Sequence, residues 1–375
     1  MNHTSLERLL LFLKTEHLSA VLLSNPSSLT WLSGYAPPIE TGLSPFEGGP
    51  ALAWCSEGDV TLLMSDMEAG SARAHELEVL DYIGYTIEAP LAGYGNQAAG
   101  LTRLLGKSGR VHGNVGVEMD TLPASLFPLV QQTLPNATLV PLEGKIELLR
   151  AIKSAWELEQ IQGALKLCDL AQAETERQIR AGITELEVWE ALKARVELEA
   201  GGRVPVLADL VAGKRTAEIG GLPGSYVLQD GDPVMVDFVP RLGGYWGDNS
   251  DIHFVGSASA ELNKVYSVVM EALREGINAV KPGLKACDLD NLLRAFIKDR
   301  GYPVYPHHSG HGIGTSYHEE PRIVPYNQIQ LQPGMVIALE PGIYLPGIGG
   351  VRLENVVLVT ESGCKVLTHH LDNKL

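Results

Sequence analysis

The chain has 375 residues, of which 45% are hydrophobic and 20% are charged, and its formal net charge is −16. This length exceeds that of a typical single domain, so two domains are predicted, and the composition is that of an ordinary globular protein. Acidic residues outnumber basic ones by 45 to 29. The surface therefore lacks the basic footprint that nucleic acid or an anionic membrane requires, and we expect neither as a partner.

The four cysteines are scattered and show neither a CxxC spacing nor a pairing pattern. We expect them to be reduced thiols in a cytoplasmic protein. The leucine-rich run at residues 9–13 is too short for the core of a secretory signal, and Lys14 and Glu16 follow it closely. The longest apolar stretches have the length of strands, so no transmembrane helix is expected.

The N-terminal part of the chain alternates short apolar runs with helical patterns, which is typical of an α/β domain with a mixed or parallel sheet. A capping box at Thr4–Glu7 precedes a leucine-rich amphipathic helix, and a second helix is predicted at Asn96–Leu105. Residues 36–50 are rich in proline and glycine and predict a long loop. The predicted strands are Ala20–Ser24, Ala51–Cys55, Val60–Met64, Val115–Glu118 and Ala137–Val140.

The pattern changes near residue 145, where two long helices are predicted. They begin with capping boxes at Ser154–Glu157 and Thr184–Glu187 and are expected to end at Gly182 and Gly201. We therefore predict domains at residues 1–145 and 146–375. Helices are also expected at residues 259–280 and 288–300, and strands at Val234–Val239, Ile252–Val255, Val336–Leu339 and Val351–Thr360. This succession indicates an α+β architecture.

Three carboxylates stand in or beside apolar runs that predict buried strands. Asp237 lies inside VMVDFV, Glu340 ends VIALE, and Glu354 precedes NVVLV. Burying a carboxylate without a partner costs several kcal/mol or raises its pKa until it takes up a proton. A compensating charge is therefore expected near all three.

Two further residues belong with this group. Asp248 follows Asp237 across a Gly243-Gly244 turn, at a spacing that suits a β-hairpin. His311 lies in the glycine-rich stretch SGHGIG, where the missing side chains would let a metal or ligand approach closely.

Taken singly, a strand-end carboxylate is most often a cap or an ion-pair partner, and a histidine beside glycines is most often structural. Together, however, four carboxylates and one imidazole match two divalent cations about 3.5–4 Å apart. Oxygen ligands with one nitrogen favour Mn²⁺, Co²⁺ or Zn²⁺.

The order of these five residues resembles that of the M24 metallopeptidase family, which has the pita-bread fold of prolidase, aminopeptidase P and methionine aminopeptidase. The segments GDPVMVD, HSGHGIGTSYHEEPRI, LEPGIY and GVRLENVVLVTE resemble its motifs. The resemblance implies a C-terminal pita-bread catalytic domain. It also implies a smaller N-terminal α/β domain, as in prolidases, aminopeptidases P and creatinases, and a homodimer.

The resemblance also implies a role for each of the five residues. Asp237 would bind one metal ion, His311 and Glu340 the other, and Asp248 and Glu354 both. A water between the ions would be the nucleophile, because two cations lower its pKa. Glu340 would also carry a proton from this water to the leaving nitrogen.

Three more positions match residues around the family's active site. His318 matches a histidine that contacts the substrate and the tetrahedral intermediate, His307 a histidine that lines the proline-side pocket, and Arg352 an arginine that supports the metal ligands. From residue type alone, His307 could equally be a loop histidine and Arg352 a member of a surface ion pair of little energetic value.

The chain departs from the family pattern at two places. Gly220 stands 17 residues before Asp237, where prolidases and aminopeptidases P carry a histidine that orients the substrate. After Asp248, Ser250 replaces a threonine and Asp251 replaces an arginine of the family pattern. His253 is a candidate partner for the reversed charge at Asp251.

Three functions are compatible with these features. The first is an Xaa-Pro peptidase. It would cleave dipeptides, with substrate length set by the N-terminal domain closing the cleft of a neighbouring subunit, or longer peptides in the manner of aminopeptidase P. The second is a metal-independent hydrolase of the creatinase type, and the third is a binding protein without activity. The intact set of five ligands favours the first, whereas Gly220 keeps the third open.

Overall fold

The computed structural model describes residues 3–37, 46, 48–107 and 111–372. The chain divides into two compact units, Met1–Arg150 and Ala151–Leu375. This division falls later than the predicted one after residue 145, because the helix Lys145–Ala151 packs Ile146 and Leu149 against the core of the first unit.

The first unit is an α/β domain. Its helices are α1 (His3–Thr15), α2 (Pro26–Ser33), α3 (Asp66–Ala74), α4 (Gly93–Lys107), α5 (Phe127–Thr133) and α6 (Lys145–Ala151). Its strands are β1 (Leu18–Leu23), β2 (Leu52–Ser56), β3 (Asp59–Ser65), β4 (Glu78–Tyr82), β5 (Gly113–Val117) and β6 (Ala137–Pro141). They form one sheet in the order β4-β3-β2-β1-β5-β6. The pairs β3–β4, β1–β5 and β5–β6 are parallel and the other two are antiparallel, which confirms the predicted mixed sheet.

The five strands predicted in this unit are present, with ends shifted by a few residues. Helix α2 was not predicted; it begins at Pro26, and the side chain of Asn25 accepts a hydrogen bond from the Ser27 amide. An asparagine cap followed by proline at the first helical position is typical of a helix start. The same pair, Asn25-Pro26, is also typical of a turn, so the sequence alone did not identify the helix. Of the predicted loop at residues 36–50, positions 38–45 and 47 lie outside the described residues.

The second unit is an α+β domain. Its helices are α7 (Ala155–Gln178), α8 (Glu185–Ala200), α9 (Ala260–Ala279) and α10 (Ala286–Asp299), and a 3₁₀ turn covers Gly213–Glu218. Of the three predicted capping boxes, the two in this unit are formed, at Ser154 with Glu157 and at Thr184 with Glu187. The third differs, because α1 begins at His3 and Thr4 lies within the helix. Helix α8 ends at Gly201 as predicted, whereas α7 ends before Gly182, at the cap residue Ile179.

One sheet of this unit carries the first two candidate ligands. Its strands are β7 (Val206–Ala212), β8 (Pro233–Leu242), β9 (Tyr245–Trp246) and β10 (Ser250–Phe254). They lie in the order β10-β8-β7, and β9 pairs with the end of β8. Strand β7 was not predicted, yet it aligns along β8 over seven residues.

The second sheet carries the remaining three candidate ligands. The strands of this part of the chain are β11 (Gly310–Gly312), β12 (Glu319–Ile323), β13 (Val336–Leu339), β14 (Gly342–Leu345), β15 (Gly349–Arg352), β16 (Asn355–Val359) and β17 (Cys364–Val366). The sheet order is β12-β11-β13-β16-β17, and β14 and β15 form a separate hairpin. The single strand predicted at Val351–Thr360 is two strands, interrupted at Leu353 and Glu354.

The largest apolar core of the second unit lies between helices α9 and α10 and the second sheet. Among the described residues, none of the helices combines the length and the apolar character that crossing a membrane requires. The four cysteines within the described chain are free thiols, three of them buried.

Candidate metal centre

Asp237 and Asp248 are both positioned by the sheet that contains β8 and β10. Asp237 lies within β8, directly opposite Ser250 of β10, and Asp248 precedes β10 by two residues. The Gly243-Gly244 turn has positive φ at both glycines, +57° and +87°, a conformation that favours glycine. The predicted hairpin is thus formed, and it brings the two carboxylates close enough that the charge of Asp237 contributes to raising the pKa of Asp248.

The other three candidate ligands come from the second sheet. His311 is the middle residue of β11, Glu340 follows β13 directly, and Glu354 lies between β15 and β16. His311 Nε2 is 3.6 Å from an oxygen of Asp248 and 3.6 Å from an oxygen of Glu340. The ligand atoms of Asp248, His311 and Glu354 all lie within 4.8 Å of one another. The five residues predicted from their order therefore converge in space.

The glycines beside His311 serve the packing of strands, and this differs from the predicted role of admitting a ligand. A Cβ atom at Gly310 would lie 2.0 Å from the Ala338 carbonyl oxygen, and one at Gly312 would lie 2.3 Å from that of Glu320. Strand β11 is thus pressed between β13 and β12. The Nδ1 atom of His311 donates to the Gly312 carbonyl at 2.9 Å, which leaves Nε2 free to act as a ligand.

Three of the four carboxylates have a buried oxygen for which residues 151–372 supply no hydrogen-bond donor. These atoms are Asp237 Oδ1, Asp248 Oδ1 and Glu354 Oε1. A buried carboxylate oxygen without a partner is costly. Three such atoms beside a free imidazole nitrogen fit a site for divalent cations with mainly oxygen ligands.

The pKa values of the three carboxylates follow from the same crowding. Burial raises the pKa of Asp237 to about 6 even though Arg352 opposes the shift. Burial, followed by the charges of the neighbouring carboxylates, raises the pKa of Asp248 and that of Glu354 well above the ordinary range. Without cations, the site therefore favours protonated acids.

Metal ions should consequently stabilise the folded chain. We expect Mn²⁺ at about 100 times its Kd to raise the free energy of unfolding by about 2.7 kcal/mol, measured as an upward shift of the thermal midpoint of metal-stripped protein. Sodium chloride at equal ionic strength is the control. A Glu354→Ala variant that responded to Mn²⁺ as the wild type does would contradict this assignment.

Three histidines lie beside Glu340: His307, His308 and His311. His308 Nε2 lies 2.8 Å from Glu340 Oε1, and His307 Nδ1 lies 3.8 Å from Oε2. Burial raises the pKa of Glu340, but the hydrogen bond and charge of His308, together with the other histidines, outweigh it and hold this pKa at about 2. His318 is exposed, and its ring centre is 4.2 Å from that of His311.

His308 was missed by the sequence analysis, which selected only His307 from the adjacent pair. His307 donates from Nδ1 to the His308 carbonyl at 2.8 Å and accepts at Nε2 from the hydroxyl of Tyr344 at 2.8 Å. Both ring nitrogens of His307 are therefore engaged, whereas His308 and His318 make ring contacts with each other and with His311. The adjacent histidines themselves were the signal that could have found His308.

Arg352 is buried and is not part of a surface ion pair. Its Nη2 atom donates to Asp237 Oδ2 at 2.6 Å and to Asp209 Oδ2 at 3.2 Å. Its Nη1 atom donates to the Ile219 carbonyl at 2.5 Å. Arg352 thus links the candidate metal ligand Asp237 to the carboxylate of Asp209 and to the backbone at Ile219.

Asp251, which replaces the arginine of the family pattern, lies on the face of β10 opposite to that of Ser250. Neighbouring residues of a strand point to opposite faces, and it is Ser250 that stands opposite Asp237. Asp251 accepts from the Ile252 amide at 2.8 Å and from the Tyr266 hydroxyl at 3.5 Å. The candidate partner His253 has its Nε2 atom 4.0 Å from Asp251 Oδ2, and the same nitrogen lies 2.9 Å from the side-chain oxygen of Gln172.

The segment that carries His318 is fixed by a buried ion pair that the sequence did not reveal. Lys153 Nζ donates to Glu319 Oε2 at 2.7 Å, and the side chains are 2% and 0% exposed. Glu319 Oε1 also accepts from the Ser316 amide and the Thr315 hydroxyl, at 3.0 and 3.2 Å. The residues before β12 are thereby tied to the start of α7.

The candidate ligands open into a cavity of about 360 Å³. Its lining includes the five candidate ligands, Arg352, Asp209, several apolar side chains and three further histidines, His307, His308 and His318. Comparable cavities accommodate small ligands. Acidic ligands, histidines and an apolar wall therefore meet in a space suited to a small ligand.

Comparisons with known proteins agree with this geometry. Residues 159–361, more than half of the chain, match metallopeptidase family M24, and residues 6–152 match the creatinase/prolidase N-terminal domain. An Xaa-Pro dipeptidase of Pyrococcus furiosus is 38% identical over 225 residues, 60% of this chain and 64% of that protein.

Two solved structures share the whole fold. An Xaa-Pro dipeptidase from Bacillus anthracis and an X-Pro aminopeptidase from Thermotoga maritima each superimpose with a TM-score of 0.83, at 27% identity over 97% of both chains. The predicted fold class is confirmed, with a pita-bread domain after a smaller α/β domain. The chain belongs to metallopeptidase family M24 and carries the creatinase/prolidase type of N-terminal domain.

Proposed function

We propose that this protein is a metal-dependent exopeptidase that hydrolyses the Xaa-Pro bond of dipeptides. The observation that carries the proposal is the convergence of three partnerless carboxylate oxygens with the free nitrogen of His311 in one cavity. The names of the relatives, Xaa-Pro dipeptidase and X-Pro aminopeptidase, support the substrate class.

Five residues would hold two divalent cations, Mn²⁺, Co²⁺ or Zn²⁺: Asp237, Asp248, His311, Glu340 and Glu354. When bound, such ions polarise the scissile carbonyl and make water a nucleophile at neutral pH. Of the five, Glu340 is the carboxylate surrounded by histidines. It would take the proton of the attacking water and deliver it to the proline nitrogen as the bond breaks.

The remaining residues would position the substrate. His318 is exposed in the cavity, and partial burial together with His311 and His308 lowers its pKa to about 3. A neutral imidazole there would donate a hydrogen bond to the carbonyl oxygen as charge develops on it. His307, stacked on Tyr305 with ring centres 4.8 Å apart, would contribute a flat wall for the proline ring. Arg352 would act through Asp237, as a positioning residue.

Metal removal tests this proposal. After chelation we expect the protein to lose all release of proline from Ala-Pro and Met-Pro, and to regain it on addition of Mn²⁺, Co²⁺ or Zn²⁺. A longer Xaa-Pro peptide measured in parallel separates a dipeptidase from an aminopeptidase P. Activity that survived chelation would indicate a creatinase-type hydrolase, and a metal-loaded protein inert to all three peptides would indicate a binding protein.

A further inference from the structure

Asp209 fills the space beside Gly220. A Cβ atom built on Gly220 would lie 1.9 Å from Asp209 Oδ2 and 2.4 Å from its carboxyl carbon. A side chain at position 220 would therefore have to displace this carboxylate, which fills the space that such a side chain would take. The cavity wall thus carries an acid here.

Asp209 is also the most accessible of the acids that line the cavity. Its side chain is 36% exposed, compared with 16% for Asp237, 9% for Glu340 and 5% for Asp248. Glu354 is 1% exposed as a residue. The candidate metal ligands are thus largely buried, whereas the carboxylate of Asp209 is accessible to a substrate in the cavity.

The position of Asp209 is firmly determined. It stands directly opposite Asp237 in the β7–β8 pair, where two like charges repel, and Arg352 donates to both. Its Oδ1 atom accepts from the Gly221 amide at 2.8 Å. The segment between Asp209 and Gly221 contains Ile219, whose φ is +79°. This conformation is rare for a β-branched residue and persists only when surrounding contacts hold it.

We propose that Asp209 is a specificity-determining residue that binds a cationic group of the substrate residue preceding proline. The group is an ammonium, either the free α-amino group or the end of a basic side chain. The inference rests on the proposed function for the identity of the substrate. Its physical basis is that an exposed carboxylate beside the metal ligands attracts a cation and disfavours a neutral or acidic group in its place.

Four substrates separate the two sources of the cation. Leu-Pro carries only the α-ammonium, and 4-methylpentanoyl-Pro is the same molecule without it. Lys-Pro carries both ammonium groups, and Nε-acetyl-Lys-Pro retains only the α-ammonium. Each is measured with Mn²⁺-loaded wild type and with Asp209→Asn, as KM and kcat, or as an inhibition constant where it is not cleaved.

Asp209→Asn is chosen because asparagine keeps an oxygen that accepts from the Gly221 amide while losing the charge. We expect the variant to raise KM about tenfold for each substrate that presents the bound cation. Loss of one hydrogen bond to a charged group weakens binding by about this factor. The value for 4-methylpentanoyl-Pro should stay unchanged. Asp230→Asn, on an exposed residue of the same unit, is the matched control and should alter none of the four.

The substrates whose KM rises in Asp209→Asn identify which ammonium group Asp209 binds. A loss for the three substrates with an α-ammonium assigns Asp209 to that group, and a loss for Lys-Pro alone assigns it to the basic side chain. An equal loss for all four, or a fall in kcat without a change in KM, would show a structural role for Asp209 and overturn the proposal. No change for any substrate would overturn it as well.

Binding measurements keep this test separate from the test of the proposed function. Leucinamide, lysinamide and 4-methylpentanamide are titrated into Mn²⁺-loaded protein by calorimetry. If no dipeptide is cleaved but the cationic amides bind the wild type at least tenfold more tightly than Asp209→Asn, the proposed function fails and the role of Asp209 stands. If the amides bind both proteins equally, the role of Asp209 fails regardless of peptidase activity.

Discussion

Replacing Glu340 with glutamine is expected to lower kcat by at least about 10²-fold and to leave the protein folded. The magnitude is the lower range for the loss of one acid–base group. Glutamine has the shape of glutamate but cannot take up the proton of the attacking water. Steady-state kinetics with a proline-releasing dipeptide, together with a circular dichroism spectrum and a thermal midpoint, would measure both parts of the prediction.

The structure explains why the fold should tolerate this change. Glu340 sits at the end of β13, where its backbone amide donates to the Ser309 carbonyl at 3.0 Å independently of the side chain. Glutamine also retains an oxygen that can accept from His308. Glu361→Gln, on an exposed residue of the same unit, is the matched control and should keep wild-type kcat. Normal turnover in Glu340→Gln would remove Glu340 from the proton transfer.

Loss of the Lys153 ammonium is expected to give the largest change in stability. We expect Lys153→Met to lower the free energy of unfolding of the second unit by about 3–5 kcal/mol, the cost of breaking a buried ion pair from one side. Methionine keeps much of the aliphatic volume, so the effect comes from the charge left on Glu319. Denaturant unfolding followed by tryptophan fluorescence would measure it.

Two further variants isolate the cause of this loss. Adding Glu319→Gln to Lys153→Met removes the uncompensated charge and should recover more than half of the lost stability, since the amide oxygen can still accept from Ser316 and Thr315. Arg195→Met breaks an exposed i,i+4 pair with Glu199 and should change stability by less than about 0.5 kcal/mol. Equal effects of Lys153→Met and Arg195→Met would refute the ion-pair explanation.

The convergence of the candidate ligands could be predicted because their sequence positions are energetically improbable. Asp237 in an apolar strand, and Glu340 and Glu354 beside two others, required a common cation, and the structure places them around one cavity. The capping boxes at Ser154 and Thr184 were equally visible, since a cap is a local pattern of two residues.

Features that depend on distant pairing could not be predicted in the same way. Strands β14 and β15 have four residues each, too few for a periodic pattern. The partnership of Lys153 with Glu319 joins residues 166 positions apart. Asp209 did carry a usable signal, because it is an acid within the apolar run VLADLVA of β7, the same anomaly that identified Asp237.

The close approach of Asp209 to Gly220 also couples the residue types that positions 209 and 220 can carry together. With Asp209 in its present position, even alanine at position 220 would place its Cβ atom 1.9 Å from the Asp209 carboxylate, so a side chain at position 220 requires that carboxylate to move. A smaller residue at 209 would open the space but would leave Arg352 facing Asp237 alone. A side chain at position 220 and a carboxylate at position 209 therefore compete for one space, so the effects of substitutions at the two positions are expected to be non-additive.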